Sequence, residues 1–240
     1  MRVPLARGGA REMLLLTLLL GAPAAAALVW AASGWVWLWP VSIVLLIAWA
    51  GGLAFFRDPE RVVPAESGIM VAPADGRVVE TVDLDYHPDI GGPARRISIF
   101  LSVFDVHINR SPCDGVVRLM RYEPGRYLDA RDPESGRVNE ANTIVIEPDD
   151  PSDGLVVVRQ IAGLIARRIV CNLKVGDRVR RGQRIGLIKF GSRTELIFSA
   201  SSPYRPSVQV GEISRGAVTI MARREPAGHP AQDTSASARV

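Results

Sequence analysis

Val175-Gly176-Asp177, followed by Gly182, returns further along the chain as Val210-Gly211-Glu212, followed by Gly216. Each copy reads as a turn leading into a strand. Glycine supplies a corner at positive φ, and the flanking valines fill a core. A second echo lies upstream, where Pro73-Ala74-Asp75-Gly76-Arg77-Val78 is matched by Pro112-Cys113-Asp114-Gly115-Val116-Val117. Such echoes point to an internally repeated β architecture. The chain beyond Ile69 agrees. Short β-rich runs at 77–84, 95–101, 116–122, 143–147, 155–160, 168–171, 184–189, 195–198 and 217–222 are separated by Gly, Pro and Asp. Many short strands with frequent turns, and no long amphipathic helical pattern, predict a mostly β body of lipoyl-like barrel or sandwich form. Residues 57–68 read as a Pro-punctuated linker, and the polar stretch 126–142 as a loop over the body.

The N-terminal quarter has a different solvent. Met13 to Phe56 carries no charged residue. One crossing needs about 20 apolar residues, so this run predicts two helices, Met13–Ala32 and Trp35–Phe56, turned by Ser33-Gly34. All five tryptophans lie here, and Trp30, Trp35, Trp37 and Trp39 flank the turn, where an interfacial aromatic belt would sit. Arg2, Arg7 and Arg11 precede the run, and Arg57 and Arg61 follow it. Positive charge at both ends predicts both ends in the cytoplasm. The expectation is a hairpin anchor at 1–56 carrying a cytoplasmic body at 57–224. Met13–Leu20 followed by Ala22-Pro23-Ala24 also has the form of a cleavable signal peptide, but the second apolar run and the arginines behind it oppose export. Residues 225–240, rich in Ala, Ser and Pro, read as a disordered tail.

Length and charge narrow the classes. At 240 residues the chain suits one compact domain plus extra segments. A net charge of +4 fits attraction to anionic lipid headgroups. No Lys/Arg tract with interleaved aromatics speaks for nucleic acid. Cys113 and Cys171 stand outside any CxxC or Cys/His ligand pattern, so no metal site is expected, and two distant cysteines fit a reducing compartment.

Three histidines could carry chemistry. His229 falls in the tail and His87 in a loop. His107 lies in Phe104-Asp105-Val106-His107-Ile108-Asn109-Arg110-Ser111-Pro112, just after an apolar strand; taken alone, it is more simply a structural histidine. The stretch Leu187-Ile188-Lys189-Phe190-Gly191-Ser192-Arg193 changes the weighting. A bare Gly-Ser pair is an ordinary turn, yet this one has the components for self-cleavage. Gly191 has no Cβ, so its carbonyl can be approached closely and its backbone strained. Ser192 Oγ is held beside that carbonyl by covalent connection. The attack still requires a base and oxyanion donors, and a His/Asp pair is the natural source of the base.

Five stretches, in this order, resemble the phosphatidylserine decarboxylase family: Phe55-Phe56-Arg57-Asp58-Pro59, Ala72-Pro73-Ala74-Asp75-Gly76, the Phe104–Pro112 segment, Gly163–Val170 with Arg167-Arg168, and Lys189–Arg193. The Phe-Gly-Ser-Arg form is similar to the family's short bacterial and archaeal branch. The resemblance implies that Ser192 attacks the Gly191 carbonyl, that an ester forms and eliminates, and that a pyruvoyl group is left on Ser192. The products would be a β chain, 1–191, and an α chain, 192–240, held as a heterodimer, with homo-oligomers left open. The pyruvoyl ketone would take the serine amine of phosphatidylserine as a Schiff base and act as electron sink. Carbon dioxide and phosphatidylethanolamine would leave, with no metal required, at the cytoplasmic face of a bacterial inner membrane. By the same resemblance Asp75 joins the self-cleavage relay and His107 serves decarboxylation. Arg193 is a candidate for the substrate phosphate or carboxylate, and Asn139, in Asn139-Glu140-Ala141-Asn142, for the headgroup.

The sequence departs from the family in two places. Arg110 stands where the longer branch has a second histidine for self-cleavage, so either His107 serves both steps or another group activates Ser192. Ala141 stands where the family often has arginine. Two rival functions remain: a membrane-tethered lipoyl-like adaptor, which needs none of Gly191, Ser192, Asp75 and His107, and a pyruvoyl decarboxylase of an ether-linked serine phospholipid.

Overall fold

The computed structural model of the chain describes residues 5–132, 134–164, 168–189 and 191–225. The expectations placed on Arg2, Arg167, His229 and the tail beyond 225 lie outside the described residues. The body is mostly β. Its strands are β1 (Ile69–Val71), β2 (Gly76–His87), β3 (Gly92–Leu101), β4 (Ile108–Arg110), β5 (Gly115–Glu123), β6 (Ala141–Pro148) and β7 (Val156–Ala162). They continue with β8 (Ile169–Val170), β9 (Arg178–Val179), β10 (Arg184–Ile188), β11 (Ser192–Ser199), β12 (Tyr204–Pro206), β13 (Ile213–Ser214) and β14 (Ile220–Arg224). Eight form one curled sheet in the order β13-β2-β3-β11-β7-β6-β5-β9. Two three-stranded sheets, β1-β14-β12 and β4-β10-β8, complete the body.

The repeats seen in the sequence have matching geometry. Gly176 N–H donates to Val117 O and Gly211 N–H to Val78 O, each at 2.8 Å. Both glycines stand at positive φ, +93° and +98°, where a side chain would be strained. Behind them β9 pairs with β5 and β13 with β2. The two Asp-Gly turns are equivalent as well. A Cβ on Gly76 would stand 2.1 Å from Phe100 O, and one on Gly115 2.3 Å from Glu147 O. Each glycine lets a strand start flush against its neighbour.

β11 runs through the middle of the large sheet, between β3 and β7. Side chains alternate along it. Leu196 and Phe198 enter the main core with Ile97, Ile99, Ile144 and Val158, while Ile197 packs in a smaller cluster with Ala94, Val145 and Val157. Each such side chain contributes roughly 1.5–3 kcal/mol on burial. The strand is therefore covered on both faces, and its first residue, Ser192, is closed off.

Several boundaries differ from expectation. The strand expected at 195–198 extends back to Ser192, because its polar start is paired rather than apolar. The strand expected at 217–222 begins at Ile220, and Ala217 sits in a turn at φ +64°. β1, β4, β9, β12 and β13 are too short for alternation to show. The loop expected at 126–142 contains a helical turn, Ser135–Val138, and its last two residues belong to β6.

The N-terminal segment contains two helices long and apolar enough to cross a membrane, Ala10–Ala32 and Leu38–Phe55. They pack against each other: Trp49 Nε1 donates to Thr17 Oγ1 at 3.2 Å, and Gly52 admits Leu16. Their two free ends meet the body together. Ala6 N–H donates to Phe56 O at 2.8 Å, and Lys189 Nζ to Glu12 Oε1 at 2.7 Å. Phe55 and Phe56 cluster with Val106, Ile108 and Leu187. The foot of the hairpin thus rests on β4, β10 and the turn before them, close to the Gly191-Ser192 junction.

Candidate active site at the Gly191-Ser192 junction

Gly191 adopts φ +60°, and Ser192 follows as the first residue of β11. Ser192 is 0% exposed, and its Oγ has no hydrogen-bond partner among the described residues. A buried hydroxyl left unpaired costs free energy comparable to a lost hydrogen bond, so such a group calls for a reason. Sealed from solvent, this one has its own chain as the nearest reactant.

His107 meets that junction. It is wholly buried, and its Nε2 accepts the Gly191 N–H at 3.1 Å. Nδ1 lies 3.0 Å from Asp105 O. Since Nε2 is accepting, Nδ1 carries the proton and donates it to that carbonyl. Phe55 lies against the ring, centroids 4.3 Å apart. Burial pushes the His107 pKa down to about 4, so the imidazole is neutral near pH 7, the form that can take a proton.

The Gly191 carbonyl is packed by Gly163, where a Cβ would stand 2.3 Å from Gly191 O. The segment that presents Gly163 is fixed by two residues. Asn139 Nδ2 donates to Ala162 O at 2.8 Å and to Leu128 O at 2.9 Å, while its Oδ1 accepts Leu128 N–H at 2.8 Å. Glu140 O accepts Ala162 N–H at 2.9 Å. Asn139 is buried with its amide committed to backbone, which places it behind the site.

Asp75 is not joined to Ser192 or His107 by any hydrogen bond among the described residues. Its Oδ1 accepts Gly216 N–H at 2.7 Å and its Oδ2 pairs with Arg61 at 2.7 Å. Burial raises its pKa, against the opposing pull of the Gly216 N–H and Arg61. Its repeat mate Asp114 does the same for Arg181 N–H, at 3.0 Å. Arg193 points to the opposite face of β11 from Ser192. There it donates to Glu80 Oε2 at 2.7 Å and Ser98 Oγ at 2.8 Å, and its Nε lies 3.1 Å from Glu195 Oε1 as an ion pair without hydrogen-bond alignment. Arg110 is turned away too, bound to Gly182 O, Pro59 O and Asp58.

Sequence reasoning did not single out a buried polar chain beneath the junction. Thr194, on the Ser192 face of β11, accepts from Asn109 Nδ2 at 3.0 Å; Gln160 Nε2 donates to Asn109 Oδ1 at 2.7 Å, and Asn142 Nδ2 to Gln160 Oε1 at 2.8 Å. Polar residues at inward positions of otherwise apolar strands were the available signal. A cavity of about 510 Å³ opens at the foot of the helical hairpin beside Ile108, Val170 and Leu187, with Asp58, Glu60 and Arg184 on its wall. None of His107, Gly191 and Ser192 lines it.

Residues 52–222 match the sequence profile of a family described as phosphatidylserine decarboxylase. The chain is similar to proteins named phosphatidylserine decarboxylase proenzyme from three bacteria. That of Rhodopirellula baltica is 41% identical over 222 residues, 92% of this chain and 88% of the relative. That of Nitrosomonas europaea is 43% identical over 84% of this chain and 89% of the relative. That of Salinibacter ruber is 43% identical over 80% and 83%.

Proposed function

The chain belongs to the phosphatidylserine decarboxylase family, and from that premise we propose that it is a membrane-anchored precursor that cuts itself between Gly191 and Ser192 and then converts phosphatidylserine to phosphatidylethanolamine and carbon dioxide. The observation that carries the reading is the unpaired, sealed Ser192 Oγ following a positive-φ glycine whose N–H is held by a neutral histidine.

Processing begins when Ser192 Oγ attacks the Gly191 carbonyl carbon. His107 Nε2 exchanges the Gly191 N–H for the Ser192 hydroxyl and takes its proton, since Arg110 and Asp75 are both held elsewhere. The Gly191–Ser192 amide bond breaks as the ester forms, leaving a free Ser192 amine. Elimination then breaks the Cβ–Oγ bond, freeing Gly191 as a carboxylate, and water displaces ammonia from the dehydroalanine to leave a pyruvoyl group. The residues present fit that group: Ser192 lies in a dry site, and its Oγ, which would depart with Gly191, has no hydrogen bond among the described residues to give up. When formed, it supplies a ketone that captures the substrate amine and accepts the electrons freed by loss of carbon dioxide.

The protein's own residues do the rest. His107 positions the reacting atoms and returns a proton to the product. Asp75 supports the site through Arg61 and the Gly216 turn, and Asn139 holds Ala162 and hence Gly163. A headgroup contact by Arg193 requires its release from Glu80 and Glu195. The β chain, 1–191, and α chain, 192–240, stay together because β11 is paired with β3 and β7 along its length. The arginines at both ends of the anchor orient the body to the cytoplasm of a bacterial cell. A diacyl lipid leaves a bilayer at about 0.8 kcal/mol per CH₂ exposed, so the enzyme works at the surface.

Intact mass of the purified protein under denaturing conditions tests this. Two chains meeting at Gly191, the C-terminal one lighter by an ammonia than a serine-started peptide, are expected. Ser192→Ala is expected to stay whole and inactive; lipid decarboxylation by that variant would overturn the proposal.

A further inference from the structure

We propose that the turn between β3 and β4, residues 102–106, is a third bilayer contact beside the two helices, with Phe104 inserted among the lipid headgroups at the rim of the site. The proposal rests on the membrane-bound reading above and names the surface on which the site works.

Phe104 is 83% exposed and its neighbour Val103 39%, two adjacent apolar side chains presented by one turn. Register places this turn. Leu101, Ser192 and Ala162 lie side by side across β3, β11 and β7. The turns that follow Leu101 and Ala162 therefore leave the sheet at one rim, on either side of the Gly191-Ser192 junction. The second turn opens with Leu164, 62% exposed. The same rim is continuous with the anchor: Arg57, just past the second helix, donates through Nη2 to Phe104 O, and Phe55 lies against the His107 ring. Where that helix leaves the membrane, Phe104 stands beside it, the place where aromatic side chains favour the interface.

The turn is also stiff. Asp105 carboxylate accepts Ser102 N–H at 2.8 Å and Ser102 Oγ–H at 2.7 Å. Its backbone oxygen holds His107 Nδ1. A turn pressed to the headgroups thus carries the carbonyl that fixes the histidine's tautomer. Arg57 and the exposed Arg168 add positive charge at this rim, which suits anionic lipid.

The test uses the full chain in proteoliposomes of phosphatidylethanolamine and phosphatidylglycerol containing brominated lipid. A thiol-reactive fluorophore is placed on Phe104→Cys, and on Tyr86→Cys at the opposite end of β2, with the unsubstituted chain giving the background from Cys171. Quenching at position 104 several-fold stronger than at 86 is expected. Equal quenching overturns the proposal, as does a disulfide-linked Phe104→Cys dimer without quenching, which would assign the turn to a second copy of the chain. In the same vesicles, Phe104→Asp is expected to lower kcat/KM for phosphatidylserine about tenfold with cleavage at Gly191 unchanged by intact mass, and Phe104→Leu to restore it. Quenching is read without any decarboxylation, so an uncleaved or inactive protein would count against the proposed function and leave this contact separately decided.

Discussion

Gly163 lies against the carbonyl of Gly191, so close that a Cβ on Gly163 would stand 2.3 Å from that oxygen. Ala130 closes the far side, its Cβ 3.2 Å from the same point. No rotamer relieves a Cβ contact with backbone, so alanine here must displace the Gly191 carbonyl or the segment behind it. A displacement near 1 Å at a reacting centre costs on the order of 100-fold in rate. Gly163→Ala is expected to fold and to accumulate as uncleaved precursor. Gly92→Ala, where a Cβ meets nothing within 4 Å, is expected to process normally. The fraction of cleaved chain by intact mass, followed after synthesis, reads the difference. Equal processing in the two variants would show that the close packing has no part in the cleavage.

His107 makes a second prediction, in which pH separates it from a merely structural residue. Its folded pKa is about 4 and its ordinary value 6.5. Between these values the unfolded chain binds more protons than the folded one, so stability rises with pH across the window and falls as pH drops through it. The difference amounts to about 3 kcal/mol, fully lost by about pH 4. Ser192→Ala, held as precursor, is expected to lose melting temperature from pH 7 to pH 5, and a His107→Gln, Ser192→Ala double variant to lose distinctly less. In the processing-competent chain His107→Gln keeps an acceptor for Gly191 N–H without the basicity, and cleavage is expected to slow by roughly 100-fold or more. A parallel pH dependence of melting with and without His107 would refute the buried neutral imidazole.

Much of this was legible in the chain, for identifiable reasons. Charge-free length predicted the two helices, because a run of about forty uncharged, mostly apolar residues is long enough for two membrane-length helices. The Gly-acid echoes gave the repeated turns, because a positive φ and a flush strand start both demand glycine. Gly191-Ser192 and His107 stood out as a pair, and the fold brings them within a hydrogen bond. What the sequence concealed was direction. Ser192 and Arg193 are neighbours in the chain, yet strand alternation puts their side chains on opposite faces of β11. Gly163 was one residue of a quoted motif, and only the approach of a distant backbone gives it a role. Asp75 and Asp114 are twins in sequence, and in the fold both brace a turn.

Arg193 supplies the last prediction, since its two possible roles have opposite signatures. Arg193 is 7% exposed and its side chain set between Glu80 and Glu195, the latter 2% exposed. Removing Arg193 leaves the buried Glu195, among the described residues, with only the more distant Arg96, whose Nε lies 4.0 Å away, at a cost of about 3 kcal/mol. Arg193→Ala is therefore expected to melt well below the parent chain. An Arg193→Met, Glu195→Met double variant is expected to recover most of that loss, because well-packed apolar pairs replace buried ion pairs with little penalty. If the guanidinium instead leaves the cluster to hold the substrate's phosphate or carboxylate, both variants raise KM for phosphatidylserine by a similar factor, and restoring stability does not restore affinity. Melting temperature and KM measured on the same three proteins separate the roles, and the geometry favours the first: an arginine with two carboxylates and a hydroxyl around it, on the face of β11 away from Ser192, braces the central strand from behind.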